Sequence, residues 1–240
     1  MNKILIFTAT YNEAENIIEL TKNIFLNYKN VDFLIIDDNS PDLTYEKVEQ
    51  LSLTNKSIIL KKREKKLGLN TAHILGYEYA LKNNYEKFIT MDADLSHDPK
   101  EITKIITLLD EHAFVIGSRY IKGGKNGMTG LRLILSQIGN KSIKYLLNLN
   151  GTEFTSSYRG FNLKKLGNFH FNQVKSQGYS FFMETVFRIN SLGWLSCEFP
   201  INIPLSGIST ALAKTVLPAP VCTKFAKGTP PSFSAFVAVP

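Results

Sequence analysis

An α/β fold built on a mostly parallel sheet is what this chain predicts, and three features predict it. Short β-type runs alternate with helical patterns along the first half, the runs are apolar throughout rather than at every second residue, and polar clusters follow directly after them. Alternation of this kind is how βαβ units read in a sequence, and a strand buried on both faces has no polar side. Such sheets gather their ligands beyond the carboxyl ends of the strands, so the polar clusters mark one edge as the functional one.

The runs fall at 3–9, 31–36, 57–60, 87–91 and 113–117, with helical patterns at about 13–27, 44–53, 70–83 and 98–110. The first run enters Thr10-Tyr11-Asn12-Glu13, the second Asp37-Asp38-Asn39-Ser40, and the fourth Asp92-Ala93-Asp94. After the fifth come Gly117-Ser118-Arg119-Tyr120 and a glycine-rich stretch over 122–130, which reads as a mobile loop above the site. From Leu131 to Leu149, Leu131, Leu135, Ile138, Leu146 and Leu149 recur near helical spacing, while Arg132, Ser136 and Asn140 line another face four residues apart. That second face is either solvated or turned toward an anion. Tyr158–Phe161 reads as a further strand, Gly178 to about Asn190 as a helix, and Glu198–Ile201 as a strand.

With 240 residues, 44% of them hydrophobic, the chain has material for one domain with a substantial core. The net charge of +7 drops to +4 without Lys214, Lys224 and Lys227, which lie beyond the last acid, Glu198. This excess suits anionic ligands or a membrane surface and gives no indication of nucleic-acid binding. Cys197 and Cys222 provide neither a disulfide framework nor metal-ligand spacing, which fits a reducing compartment. The N-terminus reads as a strand rather than a signal peptide, and no uncharged apolar run reaches about 18 residues, so the chain is not expected to span a membrane itself.

The most informative segment is Phe88-Ile-Thr-Met-Asp-Ala-Asp-Leu-Ser-His-Asp-Pro99. One intervening residue puts Asp92 and Asp94 on the same face of an extended backbone, where they can share a divalent cation or divide direct and water-mediated contacts to it, its open positions then able to hold a diphosphate. The residues alone leave a plainer reading open, in which the acids cap a helix starting at Asp98-Pro99. His97 reads as a surface or loop residue. Tyr11, Asn12, Glu13, Asp37 and Asp38 offer a flat ring and fixed hydrogen-bond partners to a nucleotide base at two adjacent strand ends, and turn or cap roles to Asn12 and Asp38 otherwise. The first strand enters Thr10-Tyr-Asn-Glu rather than a glycine-rich phosphate turn, which argues against a dinucleotide oxidoreductase.

Thr10-Tyr-Asn-Glu-Ala-Glu-Asn16, Ile36-Asp-Asp-Asn-Ser-Pro-Asp-Leu-Thr44, Leu67-Gly68 before Ala72 and Gly76, Met91-Asp-Ala-Asp-Leu-Ser-His-Asp-Pro99 and Gly117-Ser-Arg-Tyr120 occur in that order. Together they resemble the family 2 glycosyltransferases, in particular the dolichol-phosphate and polyprenol-phosphate mannosyltransferase group. The resemblance implies a GT-A fold with a Rossmann-like sheet over residues 1–202, nucleotide-binding to about 120 and acceptor-binding over about 121–202. It implies metal-dependent, inverting transfer of mannose from GDP-mannose to a polyprenyl phosphate, with another sugar nucleotide and a saccharide acceptor as the alternative. It makes Asp92, Asp94, Arg119 and Arg132 catalytic and assigns Mg²⁺ or Mn²⁺ to Asp92, Asp94 and Ser96. Ala9, Tyr11, Asn12, Glu13, Asp37, Asp38, Lys66, Gly68 and Ser136 become substrate-binding, with Arg63 or Lys66 reaching the donor diphosphate. An acceptor phosphate calls for arginines rather than a base, whereas a saccharide hydroxyl would need a carboxylate, for which Glu153 and Glu184 are the candidates. The implied setting is cytoplasmic and peripherally membrane-associated, with a separate membrane subunit as a further expected partner.

The chain departs from the pattern after Ile201. Where the family has an Asp-Arg pair followed by Gly, Ser and Lys, this sequence reads Asn202-Ile-Pro-Leu-Ser-Gly-Ile-Ser-Thr210, and seven of the nine prolines lie beyond Phe199. Residues 203–240 thus read as an atypical tail consistent with a shifted reading frame, and the lost arginine points to an impaired, nucleotide-sugar-binding protein as a third reading.

Overall fold

The computed structural model describes residues 3–127 and 130–203. Strands β1 (Ile4–Thr10), β2 (Asp32–Asp37), β3 (Ile58–Lys62), β4 (Lys87–Thr90) and β5 (Phe114–Ser118) occupy the five apolar runs, and α1 (Asn16–Asn27), α2 (Thr44–Thr54), α3 (Leu69–Lys82) and α4 (Ile102–Glu111) the helical patterns between them. They are followed by β6 (Lys125–Asn126), α5 (Gly130–Leu146), β7 (Arg159–Asn162), α6 (Leu163–Leu166), α7 (Tyr179–Ser191), β8 (Ser196–Pro200) and β9 (Asn202–Ile203).

Seven strands form one sheet in the order β3-β2-β1-β4-β7-β5-β8, parallel except for β7, which runs antiparallel between β4 and β5. Alternate residues feed two cores: Leu5, Phe7, Leu34 and Ile36 face one way, and Ile6, Phe33 and Ile35 the other. Helices α3 and α7 cover the first face through Ala72, Tyr77, Phe181 and Val186; α1 and α4 cover the second through Ile17, Leu20, Ile24, Ile102, Ile105 and Leu109. Cover on both faces explains why the strands are apolar without alternation. Strand order reverses between β1 and β4, the topological position where sheets of this kind hold ligands.

Gly160 of β7 makes the insertion of that strand feasible. A Cβ there would stand 2.3 Å from Ile105 Cγ2, so α4 packs directly on the backbone of β7. The glycine-rich stretch over 122–130 is not wholly a loop: β6 pairs in parallel with β9, and Lys125 N–H donates to Ile201 O at 3.0 Å. Residues 204–240, which hold most of the atypical tail, lie outside the described residues. Among the described residues no helix is long and apolar enough to cross a membrane.

Candidate active site

The ends of β1 and β2 form one welded unit. Asp37 is fully buried, and its carboxylate accepts from Thr10 Oγ1 at 2.9 Å, from Ser40 N–H at 3.0 Å and from Ser40 Oγ. Ser40 Oγ in turn accepts Asn12 N–H at 3.1 Å, and both Asn12 and Asn39 take positive φ, a conformation asparagine tolerates. Asp38 accepts the N–H groups of Leu67 and Gly68 at 3.2 and 3.0 Å and is ion-paired with Arg63. In this arrangement the chain itself engages oxygens of both acids. Arg63 is likewise buried, donating also to Gly68 O and Thr71 Oγ1, which leaves Lys66 as the cation at the rim. Its ammonium lies 3.6 Å from the ring centroid of the half-exposed Tyr11. Gly68, at φ +92°, precedes α3, and Ala9 lies partly buried in β1.

At the end of β4 the question of caps resolves. Asp98 is the residue that caps the short 3-10 turn Pro99–Glu101, accepting Lys100 N–H at 3.0 Å, while Asp92 and Asp94 stand upstream. Asp94 is exposed and the Asp92 side chain is 41% exposed. Asp94 Oδ1 accepts Ser96 N–H at 3.0 Å, and Leu95 between them has φ +62°, an uncommon conformation for a side chain of that size. These acids reach the first cluster: burial raises the pKa of Glu13 above 4.5, the Asn16 hydrogen bond opposes it, and the charges of Asp94, Asp42 and Asp92 add to the rise.

His97 is a correction. It lies in the loop after β4, as expected, but is 3% exposed rather than on the surface, stacked on Tyr158 at 4.6 Å, and its Nδ1 accepts Asp92 N–H at 3.0 Å. Burial lowers its pKa below 6.5 against the opposing charges of Asp92 and Asp94; Arg119 and Glu153 also act on it, which draws the ends of β4 and β5 together.

Beyond β5 Arg119 donates through Nε to Glu153 Oε2 at 2.8 Å. Glu153 is fully buried, its other oxygen accepting from Thr155 N–H, Thr155 Oγ1 and Ser156 N–H. Glu184, 2% exposed, accepts from Lys175 and Ser176 N–H and from Arg188. Ser136 Oγ and the Tyr120 hydroxyl lie 2.6 Å apart, and Asn140, 7% exposed, accepts Phe154 N–H, so these two positions of α5 are turned inward rather than solvated. Arg132 falls in the first turn of α5, and its side chain is outside what the structure describes. A cavity of about 320 Å³ beside Tyr120 is lined by Gln137, Asn140, Lys141, Lys144, Gly151 and Thr152.

No cluster of three or more His, Cys, Asp or Glu side chains suited to a metal occurs among the described residues. Two accessible carboxylates nonetheless fit Mg²⁺ or Mn²⁺, since such ions are commonly held by one or two carboxylates with substrate phosphates and water completing the shell. The partners that sequence reasoning missed are His97 and Ser40, along with Glu153 in its role as the holder of Arg119. Only the five-residue spacing from Asp92 to His97 gave a local signal.

The glycosyl transferase family 2 model matches residues 5–169. Polyprenol monophosphomannose synthase of Mycolicibacterium smegmatis is 31% identical over 203 residues, 83% of this chain and 77% of that protein. Undecaprenyl-phosphate mannosyltransferase of Micrococcus luteus is 31% identical over 202 residues, 83% of each. Among solved structures, mannosyltransferase PcManGT from Pyrobaculum calidifontis in complex with GDP-Man and Mn²⁺ aligns with a TM-score of 0.53 at 17% identity, over 85% of this chain and 58% of that one. Glucosyl-3-phosphoglycerate synthase from Mycobacterium tuberculosis, with Mn²⁺ and UDP, aligns at 0.55 and 15% identity, over 85% and 71%. The last two likenesses bear on the GT-A fold alone, whereas the matched span and the relatives at 31% identity make this chain a member of glycosyl transferase family 2.

Proposed function

We propose that this enzyme transfers mannose from GDP-mannose to a polyprenyl phosphate in a single displacement that inverts the anomeric carbon. One observation carries the acceptor class: Glu153 and Glu184, the carboxylates at hand to deprotonate a sugar hydroxyl, are both buried and saturated by their own chain. A phosphate monoester, with its second pKa near about 6, is ionised at neutral pH and needs no base. Its oxygen bonds to the anomeric carbon as the bond to the donor diphosphate breaks, GDP leaving with the electron pair.

Arg119, aimed by Glu153, and Arg132 with Ser136 hold the acceptor phosphate, aligning it for attack. Tyr11, Asn12 and Glu13 line the nucleotide side together with Ala9 and Gly68; Asp37 and Asp38 keep that wall in shape, and Lys66 meets the diphosphate. Asp92 and Asp94, with Ser96 beside them, would hold Mg²⁺ or Mn²⁺. A cation held there would supply positive charge against that developing on the departing diphosphate. The names of the mycobacterial and Micrococcus relatives and the GDP-Man complex of PcManGT support the acceptor and donor chosen.

A membrane surface suits the lipid acceptor. From His112 to Thr152 the sequence holds Arg119, Lys122, Lys125, Arg132, Lys141 and Lys144 and no acid, and α5 exposes Ile134, Ile138 and Tyr145.

Incubation with labelled GDP-mannose, Mn²⁺ and undecaprenyl phosphate is expected to yield labelled lipid, lost on chelation, and Asp92→Asn with Asp94→Asn is expected to lower turnover at least about 100-fold. Label entering only a saccharide overturns the acceptor, and preference for UDP-glucose overturns the donor. A second reading, donor binding without turnover, is favoured by the absence of an Asp-Arg pair over 202–210; calorimetric donor binding with no product would establish it.

A further inference from the structure

Resting on the reading of Asp92 and Asp94 as the metal-holding pair, we propose that His97 is a positioning residue that aims both carboxylates by gripping the backbone of Asp92. At 3% exposure it is too deeply buried to meet substrate, so any effect on the reaction passes through a neighbour. That neighbour is Asp92 on both sides of the ring: Nδ1 accepts Asp92 N–H at 3.0 Å, and Nε2 lies 3.9 Å from Asp92 Oδ2. Because Nδ1 is the acceptor, the ring proton sits on Nε2, directed at the side where the carboxylate stands.

The ring is itself immobilised. It stacks on Tyr158 with planes 16° apart, and the Tyr158 hydroxyl donates to Asp98 O at 2.9 Å, which ties the far end of the same loop. Between these anchors Asp94 Oδ1 takes Ser96 N–H, and Leu95 is held at positive φ. A leucine keeps that conformation only where its surroundings over-determine it, and the clasp from Asp92 N to His97 Nδ1 closes the loop around it. The loop therefore arrives with both acids already oriented, as outer partners of metal-binding carboxylates commonly ensure.

Two substitutions separate this role from ordinary packing. His97→Phe keeps the stacked ring and loses the acceptor; His97→Asn keeps an acceptor near the Nδ1 position and loses the ring. Free Mn²⁺ is followed by electron paramagnetic resonance with saturating GDP present, alongside thermal melting and metal-free GDP binding. His97→Phe is expected to weaken Mn²⁺ binding by about 10-fold or more while metal-free GDP binding holds, and His97→Asn to stay within roughly threefold of the parent despite a lower melting temperature. Any other order of the two overturns the proposal, including both variants weakened alike. Should His97→Phe fail to fold, His97→Asn decides alone: retained Mn²⁺ binding supports the role, and its loss overturns it. Parent protein that takes up no Mn²⁺ with GDP, or Mn²⁺ binding that survives Asp92→Asn with Asp94→Asn, removes the metal reading and this inference with it.

Discussion

Among single residues the buried glutamates are held by hydrogen bonds from their own chain. Glu198, 5% exposed, accepts Thr152 N–H at 2.6 Å, Glu153 N–H at 2.9 Å and Thr152 Oγ1 at 3.0 Å, pinning the loop that carries Glu153 to β8. Burial pushes its pKa above 4.5 despite those bonds, so the folded state keeps the proton to higher pH than the unfolded chain does. Stability from this group is complete below 4.5 and is lost as pH rises through the folded value. Glu184 has the opposite sign. Burial raises its pKa, but the combined hydrogen bonds from Ser176 and Arg188 outweigh it and leave the folded value below 4.5, so its contribution is present above 4.5 and lost as pH falls through that depressed value. Urea unfolding across the acid range is expected to show Glu198→Gln flattening the decline above 4.5 and Glu184→Gln flattening the decline below it. Asp92 and Asp94 were readable in the sequence because their relative direction depends on one intervening residue. His97 was not, because its burial depends on Tyr158, a residue distant in the chain.

At the scale of elements, β7 is the piece that ties the sheet to the loop carrying Glu153. It carries Arg159, fully buried, whose guanidinium donates to the carbonyls of Ser156, Phe154 and Phe182, tying the Glu153 loop to α7. Its place between β4 and β5 requires Gly160, and Gly160→Ala is expected to cost about 1–3 kcal/mol in urea unfolding as α4 or β7 shifts, with Gly160→Val costing more. The helical patterns and the five parallel strands were legible, since periodicity is local. The antiparallel direction of β7 was not: Tyr158–Phe161 has the same composition in either direction, and the pairing of Thr90 with Arg159 and Phe114 with Phe161 decides it. Likewise Arg132, Ser136 and Asn140 stood out by spacing, but only contact with Tyr120 and Phe154 tells which way that face turns.

Over the whole molecule, strand order gathers three polar clusters at one sheet edge and sets the basic, acid-free segment with α5 beside it. If α5 rests on lipid, sedimentation with vesicles containing anionic phospholipid is expected to carry the protein down, neutral vesicles much less, and raised salt is expected to release it. Replacing Ile134 and Ile138 by Asp is expected to reduce that binding at least about tenfold, since both side chains stand more than half exposed and their change costs the core little. Equal sedimentation of parent and variant would remove α5 as the contact face.

By itself the sequence determined the alternation of strand and helix, the acids at strand ends and the motif set that marks the family, because each of these is written in residues close together in the chain. Only the tertiary structure decided which carboxylates remain open. Asp37, Asp38, Glu153 and Glu184 look as available as Asp92 and Asp94 when read as letters. Burial among donors from other elements closes the first four, while the loop after β4 leaves the last two facing outward.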